Sequence, residues 1–401
     1  MTDLKTAALA YHEFPKPGKL SVESSKPCVT AEELSLAYTP GVAEPVKAIQ
    51  ADPAAAYRFT NKGNLVAVIT DGTAVLGLGD VGALAGKPVM EGKAVLFKRF
   101  AGIDVFDIEI NAPSIEAFIE TVVHIAPTFG GINLEDIAAP HCFYIEQVLK
   151  ERLDIPVFHD DQHGTAAIVG GALLNALALQ GKSLSTAKIS FLGAGAAGMA
   201  TARLLLAMGA TDITLCDKKG VLHTGRTDIG PHGRDLLRET DARTFEDSLE
   251  GADVFIGVSA ANAMPPEYLK RMADKPVVFA LANPDPEILP AVAHAVRSDI
   301  VMATGRSDFP NQVNNALCFP YLFRGALDAK AQQITQSMQI AAAHALAELA
   351  REPVPASVLT AYGRTEMAFG PDYIIPTPFD PRLLEYVSGA VARAAEAQRF
   401  S

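Results

Sequence analysis

The chain has 401 residues, room for about two or three domains, and 49% of them are hydrophobic against 20% charged, the balance of a globular protein with sizeable cores. Its 34 basic and 46 acidic side chains leave a net charge of -12, which argues against nucleic acid or an anionic membrane as the main partner, because both recruit clustered positive charge. The N-terminus (Asp3, Lys5 and a short alanine-rich run) lacks the apolar core of a secretory signal. Four scattered cysteines form no CxxC pair, so a reducing cytoplasm is the simplest compartment.

In chain order, Thr30-Ala31-Glu32-Glu33 has the form of a capping box and opens a short helix. That helix must end near Tyr38, because Thr39 precedes Pro40 and Gly41 follows. On these grounds alone Tyr38 is a core or surface tyrosine at a helix exit. A glycine-rich stretch, Asp71-Gly72-Thr73 and then Gly77-Leu78-Gly79-Asp80-Val81-Gly82, has no βαβ frame around it and is not a second nucleotide site. Lys93 precedes an apolar run. It is either a partly buried base with a lowered pKa or a lysine snorkelling from a helix into solvent.

Two acidic pairs follow. Glu135-Asp136 either favours the N-terminus of a helix running on through Ile145 or binds a cation. Asp160-Asp161, within His159-Asp160-Asp161-Gln162-His163-Gly164-Thr165, stands between an apolar strand at 155–158 and an apolar helix, and either caps that helix or binds a cation. Each pair alone reads better as a cap; both together, near a dinucleotide domain, favour a metal. Carboxylate oxygens are hard ligands suited to Mg²⁺ or Mn²⁺; no cysteine or HExxH pattern supports zinc. The helix at 166–179 contains Asn175 and two glycines and is short for a membrane span.

Beyond about residue 160 the sequence becomes β-α-β. A strand at 189–192 runs into Gly193-Ala194-Gly195-Ala196-Ala197-Gly198, then a helix through Met208, a stop at Gly209, and a strand at 213–216 closed by Asp217. Gly193 permits the tight turn, Gly195 lets backbone approach a pyrophosphate, and Gly198 allows close packing of helix and strand. The helix N-terminus offers free N–H groups to phosphate. Asp217 lies where a carboxylate grips ribose hydroxyls, which favours NAD; Lys218 and Lys219 beside it favour the 2′-phosphate of NADP, and charge alone leaves the choice open. Further strands at 253–257, 277–281 and 300–303 alternate with helices, which predicts a doubly wound α/β fold with a parallel sheet. The last seventy residues read as mostly helical, interrupted by Pro376 and Pro378.

Taken together these segments resemble the malic enzyme family in its short bacterial form. The likeness runs from Tyr38-Thr39-Pro40-Gly41-Val42-Ala43 through Thr70-Asp71-Gly72, Glu91-Gly92-Lys93, Leu134-Glu135-Asp136-Ile137 and Asp160-Asp161-Gln162-His163-Gly164-Thr165. It continues through the dinucleotide glycines, Leu281-Ala282-Asn283-Pro284 and Asn311-Gln312-Val313-Asn314-Asn315 to Pro376-Thr377-Pro378-Phe379-Asp380. The resemblance implies a substrate domain over residues 1–160 and a Rossmann-like NAD(P)-binding domain with a helical extension over residues 161–401. It implies that Glu135, Asp136 and Asp161 hold Mg²⁺ or Mn²⁺, that Lys93 is the general base oriented by Asp160, and that Tyr38 is the general acid. Asn283 and Asn315 would contact malate, with Asn314 nearby, and Asn283 would also border the cofactor. Oxidation of malate by NAD or NADP with decarboxylation to pyruvate is the implied reaction, and a homodimer or larger homo-oligomer the implied assembly.

The chain departs from the family pattern in places. Many larger relatives carry an arginine between the Thr-Asp-Gly and Gly-Leu-Gly elements, where Thr73-Ala74-Val75-Leu76 stands here, so malate must find another partner. A last residue at Ser401 implies no phosphotransacetylase-like domain of the kind some bacterial relatives carry. The alternatives are malolactic conversion, which releases lactate and keeps the nicotinamide bound, and a non-catalytic nucleotide sensor, for which an intact acidic cluster is unexpected.

Overall fold

The computed structural model describes residues 3–75 and 77–399; Leu76, the end of the segment standing where larger relatives have arginine, lies outside them. The first elements are the helices α1 (Leu4–Glu13), α2 (Ala31–Ala37), α3 (Ala43–Ala51) and α4 (Ala56–Phe59), and none of them contributes a buried residue. The expected capping box is closed: Glu33 N donates to Thr30 Oγ1 at 3.1 Å and Thr30 N to Glu33 Oε2 at 3.0 Å. Tyr38 is the C-cap of α2.

A four-stranded sheet follows, built from β1 (Leu65–Thr70), α5 (Ala83–Ala101), β2 (Asp104–Glu109), α6 (Ile115–Ile125), β3 (Gly131–Leu134), α7 (His141–Arg152) and β4 (Val157–His159). Its order is β2-β1-β3-β4, parallel throughout. β1, Leu-Val-Ala-Val-Ile-Thr, is buried at every position, as the central strand of a parallel sheet covered on both faces must be. Ala67 and Ile69 face a core shared with α6 and α7, whereas Val66 and Val68 face α5.

α8 (Asp160–Leu179) leads into the second sheet: β5 (Lys188–Leu192), α9 (Ala196–Ala207), β6 (Asp212–Asp217), β7 (Gly220–Val221), α10 (Phe245–Ser248), β8 (Val254–Gly257), β9 (Val277–Ala280), α11 (Pro290–Val296) and β10 (Val301–Thr304). The order is β10-β9-β8-β5-β6-β7, parallel except for the β6–β7 hairpin. The strand order reverses between β5 and β8, the switch point at whose carboxyl edge doubly wound sheets bind ligands. The glycine turn begins there, one residue past β5. The expected strands thus lie in a parallel sheet as anticipated, displaced by at most a residue or so at their ends.

α12 (Phe319–Asp328), α13 (Gln336–Arg351), α14 (Ala356–Ala361) and α15 (Leu383–Gln398) complete the α-helices of the described residues. α8 is apolar almost all round because it is enclosed by both the sheet and α13. Gly171 permits that closeness, since a Cβ there would stand 2.8 Å from the Ala343 carbonyl. Phe97 of α5 meets Phe319 and Phe323 of α12 edge-on, with ring centroids 4.7 and 5.2 Å apart, so one apolar core runs across both sheets. β4 passes directly into α8 at residue 160. No described helix is long and apolar enough to cross a membrane.

Candidate active site

Parallel pairing explains how distant acids meet. Leu134 at the end of β3 pairs with His159 at the end of β4, so the residues that follow each strand emerge on the same sheet edge. Those residues are Glu135-Asp136 and Asp160-Asp161. Beside them, the end of β1 runs into Asp71-Gly72-Thr73. Thr73 Oγ1 accepts from Ala138 N at 2.8 Å and Ala74 N donates to the Asp136 carbonyl at 2.9 Å, pinning the acidic loop. The glycine-rich stretch therefore serves as a brace.

Glu135, Asp136 and Asp161 offer carboxylate oxygens that all lie within 4.8 Å of one another. Asp161 Oδ2 also accepts from Asp136 N at 3.0 Å, and Glu135 Oε2 accepts from Asn133 Nδ2 at 3.0 Å. The capping alternatives do not describe these acids. Glu135 and Asp136 precede α7, which starts only at His141, and no side-chain hydrogen bond caps α8.

Lys93, on α5, does not snorkel. Its Nζ lies 2.6 Å from Asp160 Oδ2, 3.0 Å from Glu135 Oε1 and 3.4 Å from Asn315 Oδ1, and it sits over the Phe319 ring at 4.6 Å. Burial works against its charge, but the Asp160, Glu135 and Asp161 carboxylates prevail and hold its pKa above the ordinary lysine range, not below it as partial burial alone predicts. Burial, opposed by Lys93 and assisted by Asp161, lifts Asp160 to about 6. Burial raises Glu135 well above the usual carboxylate range. Glu135, Asp136, Asp160 and Asp161 thus set four acidic groups against one ammonium in a largely buried place. Crowding like charges in a buried place is costly, and a divalent cation among hard oxygens fits this set of ligand atoms.

Sequence reasoning missed Glu146. Buried on α7, it accepts from His163 Nε2 at 3.0 Å, Gln162 Nε2 at 3.3 Å and His159 N at 3.2 Å, and pairs with Lys150 at 2.7 Å. Burial alone would raise its pKa, but His163 and Lys150 pull it below the usual range. It holds the turn that presents Asp160 and Asp161. In the sequence it is merely four residues from Lys150, the spacing of an ordinary surface pair.

Asn315 reaches Lys93, whereas the Asn314 side chain is spent on capping, its Oδ1 accepting from Ala316 N at 3.0 Å. Asn283 lies just past β9 beside Gly77 of the first sheet's loop: a Cβ on Gly77 would stand 3.1 Å from the Asn283 carbonyl. Tyr38 stays outside the cluster. It is 69% exposed, and its hydroxyl has no hydrogen-bond partner among the described residues.

The glycine turn has the geometry a dinucleotide needs. Gly193 has φ +121° and a Cβ on it would meet the Val258 carbonyl at 2.5 Å; one on Gly198 would meet the Gly193 carbonyl at 2.0 Å. A Cβ on Gly195 would meet nothing within 4 Å, so that backbone faces open space. Ala194 precedes it, and Ala196 and Ala197 begin α9. A cleft of about 400 Å³ opens here, lined by Ala194, Gly195 and Asp217 on one side and by Ala139, Pro140 and Phe143 on the other. The loop that carries the metal-type acids therefore runs directly into the wall of the nucleotide cleft. Lys218, next in sequence to Asp217, is exposed.

The description "Malic enzyme, N-terminal domain" matches residues 17–115 and 111–150, and "Malic enzyme, NAD binding domain" matches residues 162–360. The chain belongs to the malic enzyme family. It is 60% identical over 398 residues to the NADP-dependent malic enzyme of Halomonas elongata, covering 98% of this chain and 94% of that one. It is 54% identical to an NAD-dependent malic enzyme of Rhizobium meliloti, covering 98% of this chain. The chain spans 51% of that relative's length, and about half the length of several other curated malic enzymes it matches. The crystal structure of a malic enzyme from Pyrococcus horikoshii superposes with a TM-score of 0.90 at 45% identity, covering 99% of this chain and 92% of that one. The malic enzyme fold, a first α/β domain followed by a Rossmann-like NAD-binding domain, is thus that of this chain.

Proposed function

We propose that the protein oxidises malate with NADP or NAD and decarboxylates the product, giving pyruvate, CO₂ and the reduced nicotinamide, with Mg²⁺ or Mn²⁺ bound by Glu135, Asp136 and Asp161. The observation that carries the reading is the convergence of those three acids beside a buried lysine, on a loop that continues into the nucleotide cleft. The names of the relatives, NADP-dependent and NAD-dependent malic enzymes, support the same chemistry.

A divalent cation held by Glu135, Asp136 and Asp161 would supply a Lewis acid for the malate hydroxyl and an electron sink for loss of CO₂. A nicotinamide bound in the cleft would supply the acceptor for the C2 hydride. Lys93 takes the hydroxyl proton. For that it must be neutral; a cation held by Glu135 and Asp161 would weaken two of the three carboxylate attractions that keep its proton, while Asp160 retains the largest. Asp160 fixes the Nζ position through its 2.6 Å contact. Asn315 and Asn283 orient the malate carboxylates; Lys93 gives its proton to the C2 oxygen as CO₂ leaves, then takes it back from the enol while Tyr38 protonates the methylene carbon, leaving the ketone of pyruvate. Tyr38 has that role only when assembly or closure brings it to the cleft.

The exposed apolar side chains of the N-terminal helices, among them Leu9, Leu36 and Val46, support burial against a second copy in a homodimer or larger homo-oligomer. The cytoplasm is the compartment in which this reading places the protein, consistent with free, buried Cys142, Cys216 and Cys318.

Initial-rate absorbance at the reduced-nicotinamide band tests the function, with malate, Mg²⁺ or Mn²⁺, and NADP⁺ or NAD⁺ in parallel. Steady reduced cofactor with stoichiometric pyruvate is expected. Lactate without net reduction of cofactor indicates malolactic conversion, and metal-independent silence a sensor.

A further inference from the structure

The second strand of the dinucleotide unit ends in an acid whose charge is already matched. Asp217 closes β6, and Arg226 returns to it past the β6–β7 hairpin: Nη1 donates to Oδ1 and Nη2 to Oδ2, both at 2.7 Å. Lys219 N donates to Asp217 Oδ1 at 2.8 Å. The opposite edge of the same guanidinium holds Asp228, with Nε to Oδ1 at 2.9 Å and Nη2 to Oδ2 at 2.8 Å. The Arg226 side chain is only 9% exposed, whereas Asp217 and Asp228 both line the 400 Å³ cleft with Gly195.

A lone carboxylate at the end of this strand grips the ribose hydroxyls of NAD and repels a 2′-phosphate, while a nearby arginine receives that phosphate. Here both Asp217 oxygens point at the fork, and Arg226, Lys218 and Lys219 outnumber Asp217 and Asp228. The guanidinium is planar and matches phosphate bidentately, as it matches a carboxylate. All of its donors are in use, so a phosphate must displace one acid. Asp228 is the acid free to leave: it sits on an exposed loop and keeps a second partner in Lys219 Nζ at 2.8 Å.

We propose that Arg226 is the specificity-determining residue of the cofactor site: it keeps Asp217 neutralised and gives its Nε–Nη2 edge, taken from Asp228, to the 2′-phosphate of NADP. The chain then selects NADP over NAD, with Lys218 as the supporting cation. This rests on the dinucleotide reading of the Gly193–Gly198 turn and deepens it.

Calorimetric binding of 2′,5′-ADP and of 5′-AMP tests the assignment without turnover. The wild-type protein is expected to prefer 2′,5′-ADP. Arg226→Gln should lower that preference by about ten- to a hundredfold, the span of a charge-assisted pair, with a smaller change in 5′-AMP affinity. Arg226→Lys, which keeps the charge and loses the fork, should fall between, and Asp228→Asn should strengthen the preference. Retained 5′-AMP binding shows that a variant is folded. An unchanged preference in both Arg226 variants, or a wild-type preference for 5′-AMP, overturns the role of Arg226 and leaves the nucleotide site standing. Failure of the wild-type protein to bind either nucleotide overturns both.

Discussion

Lys93 Nζ stands 2.6 Å from Asp160 Oδ2, while Asp160 Oδ1, equally buried, meets no donor. The space for that second oxygen exists because residue 164 is glycine: a Cβ there would stand 1.9 Å from it. The contact between acid and lysine thus depends on an atom that is missing one helical turn away.

Gly164→Ala is therefore expected to displace Asp160 and, through it, Lys93. A misplacement of about 1 Å near a reacting centre costs on the order of 10²-fold in rate, and steady-state kinetics should show a loss of that size in kcat. Gly92→Ala makes a useful contrast, because its Cβ would meet only Lys19 Nζ, at 3.6 Å. Inside a helix that change should stabilise by roughly 0.5–1 kcal/mol in urea melts. Unaltered kcat in Gly164→Ala contradicts the positioning argument.

Lys93→Ala removes both the base and the cation that the buried acids share. Loss of a general base predicts a fall in kcat of about 10²–10⁴-fold. Breaking a buried pair predicts about 3–5 kcal/mol of lost stability in the presence of chelator. Saturating Mg²⁺ should recover much of the stability and none of the turnover. Recovery of turnover by Mg²⁺ alone would show that Lys93 acts only as a counter-charge.

Tyr38→Phe separates the two halves of the reaction. Oxidation of malate uses Lys93, so the variant should lose most in forming pyruvate from supplied oxaloacetate, read by coupled pyruvate detection. Wild-type rates in both half-reactions remove Tyr38 from the mechanism.

Glu287 gives a pH signature of stability away from the acidic cluster. It is fully buried, receiving Ser259 N at 2.7 Å and Ala282 N at 3.0 Å, and burial raises its pKa despite those bonds. Between the ordinary glutamate value, about 4.3, and the raised one, the native state binds more protons than the unfolded state. The unfolding free energy contributed by this group therefore falls as pH rises through that window. Urea melts across the window should show a flatter slope for Glu287→Gln; an identical slope in both proteins contradicts the assignment.

What the sequence disclosed was local. The Gly193–Gly198 turn, the strand before it, the stop at Gly209 and the capping box at Thr30 each depend on spacings of a few residues, and all stand where the spacing put them. Long-range pairing was not legible. Arg226 meets Asp217 only because a hairpin folds the chain back, and Glu146 reaches His163 only because α7 packs beside the turn after β4. The burial of Lys93 was ambiguous for the same reason: Phe319, which covers it, is more than two hundred residues away in sequence. Asn314 and Asn315 look equivalent in the sequence, yet one caps a turn and the other faces Lys93.

Titration of the metal-free protein with Mn²⁺, followed by electron paramagnetic resonance of the free ion, bears most directly on the cation site. Wild-type protein should take up one ion per chain. Asp136→Asn and Asp161→Asn should each weaken uptake by more than the roughly 10–100-fold typical of residues that merely support a ligand. Glu146→Gln, behind the ligands, should stay within that range. Wild-type affinity in both aspartate variants would contradict a cation held by these acids.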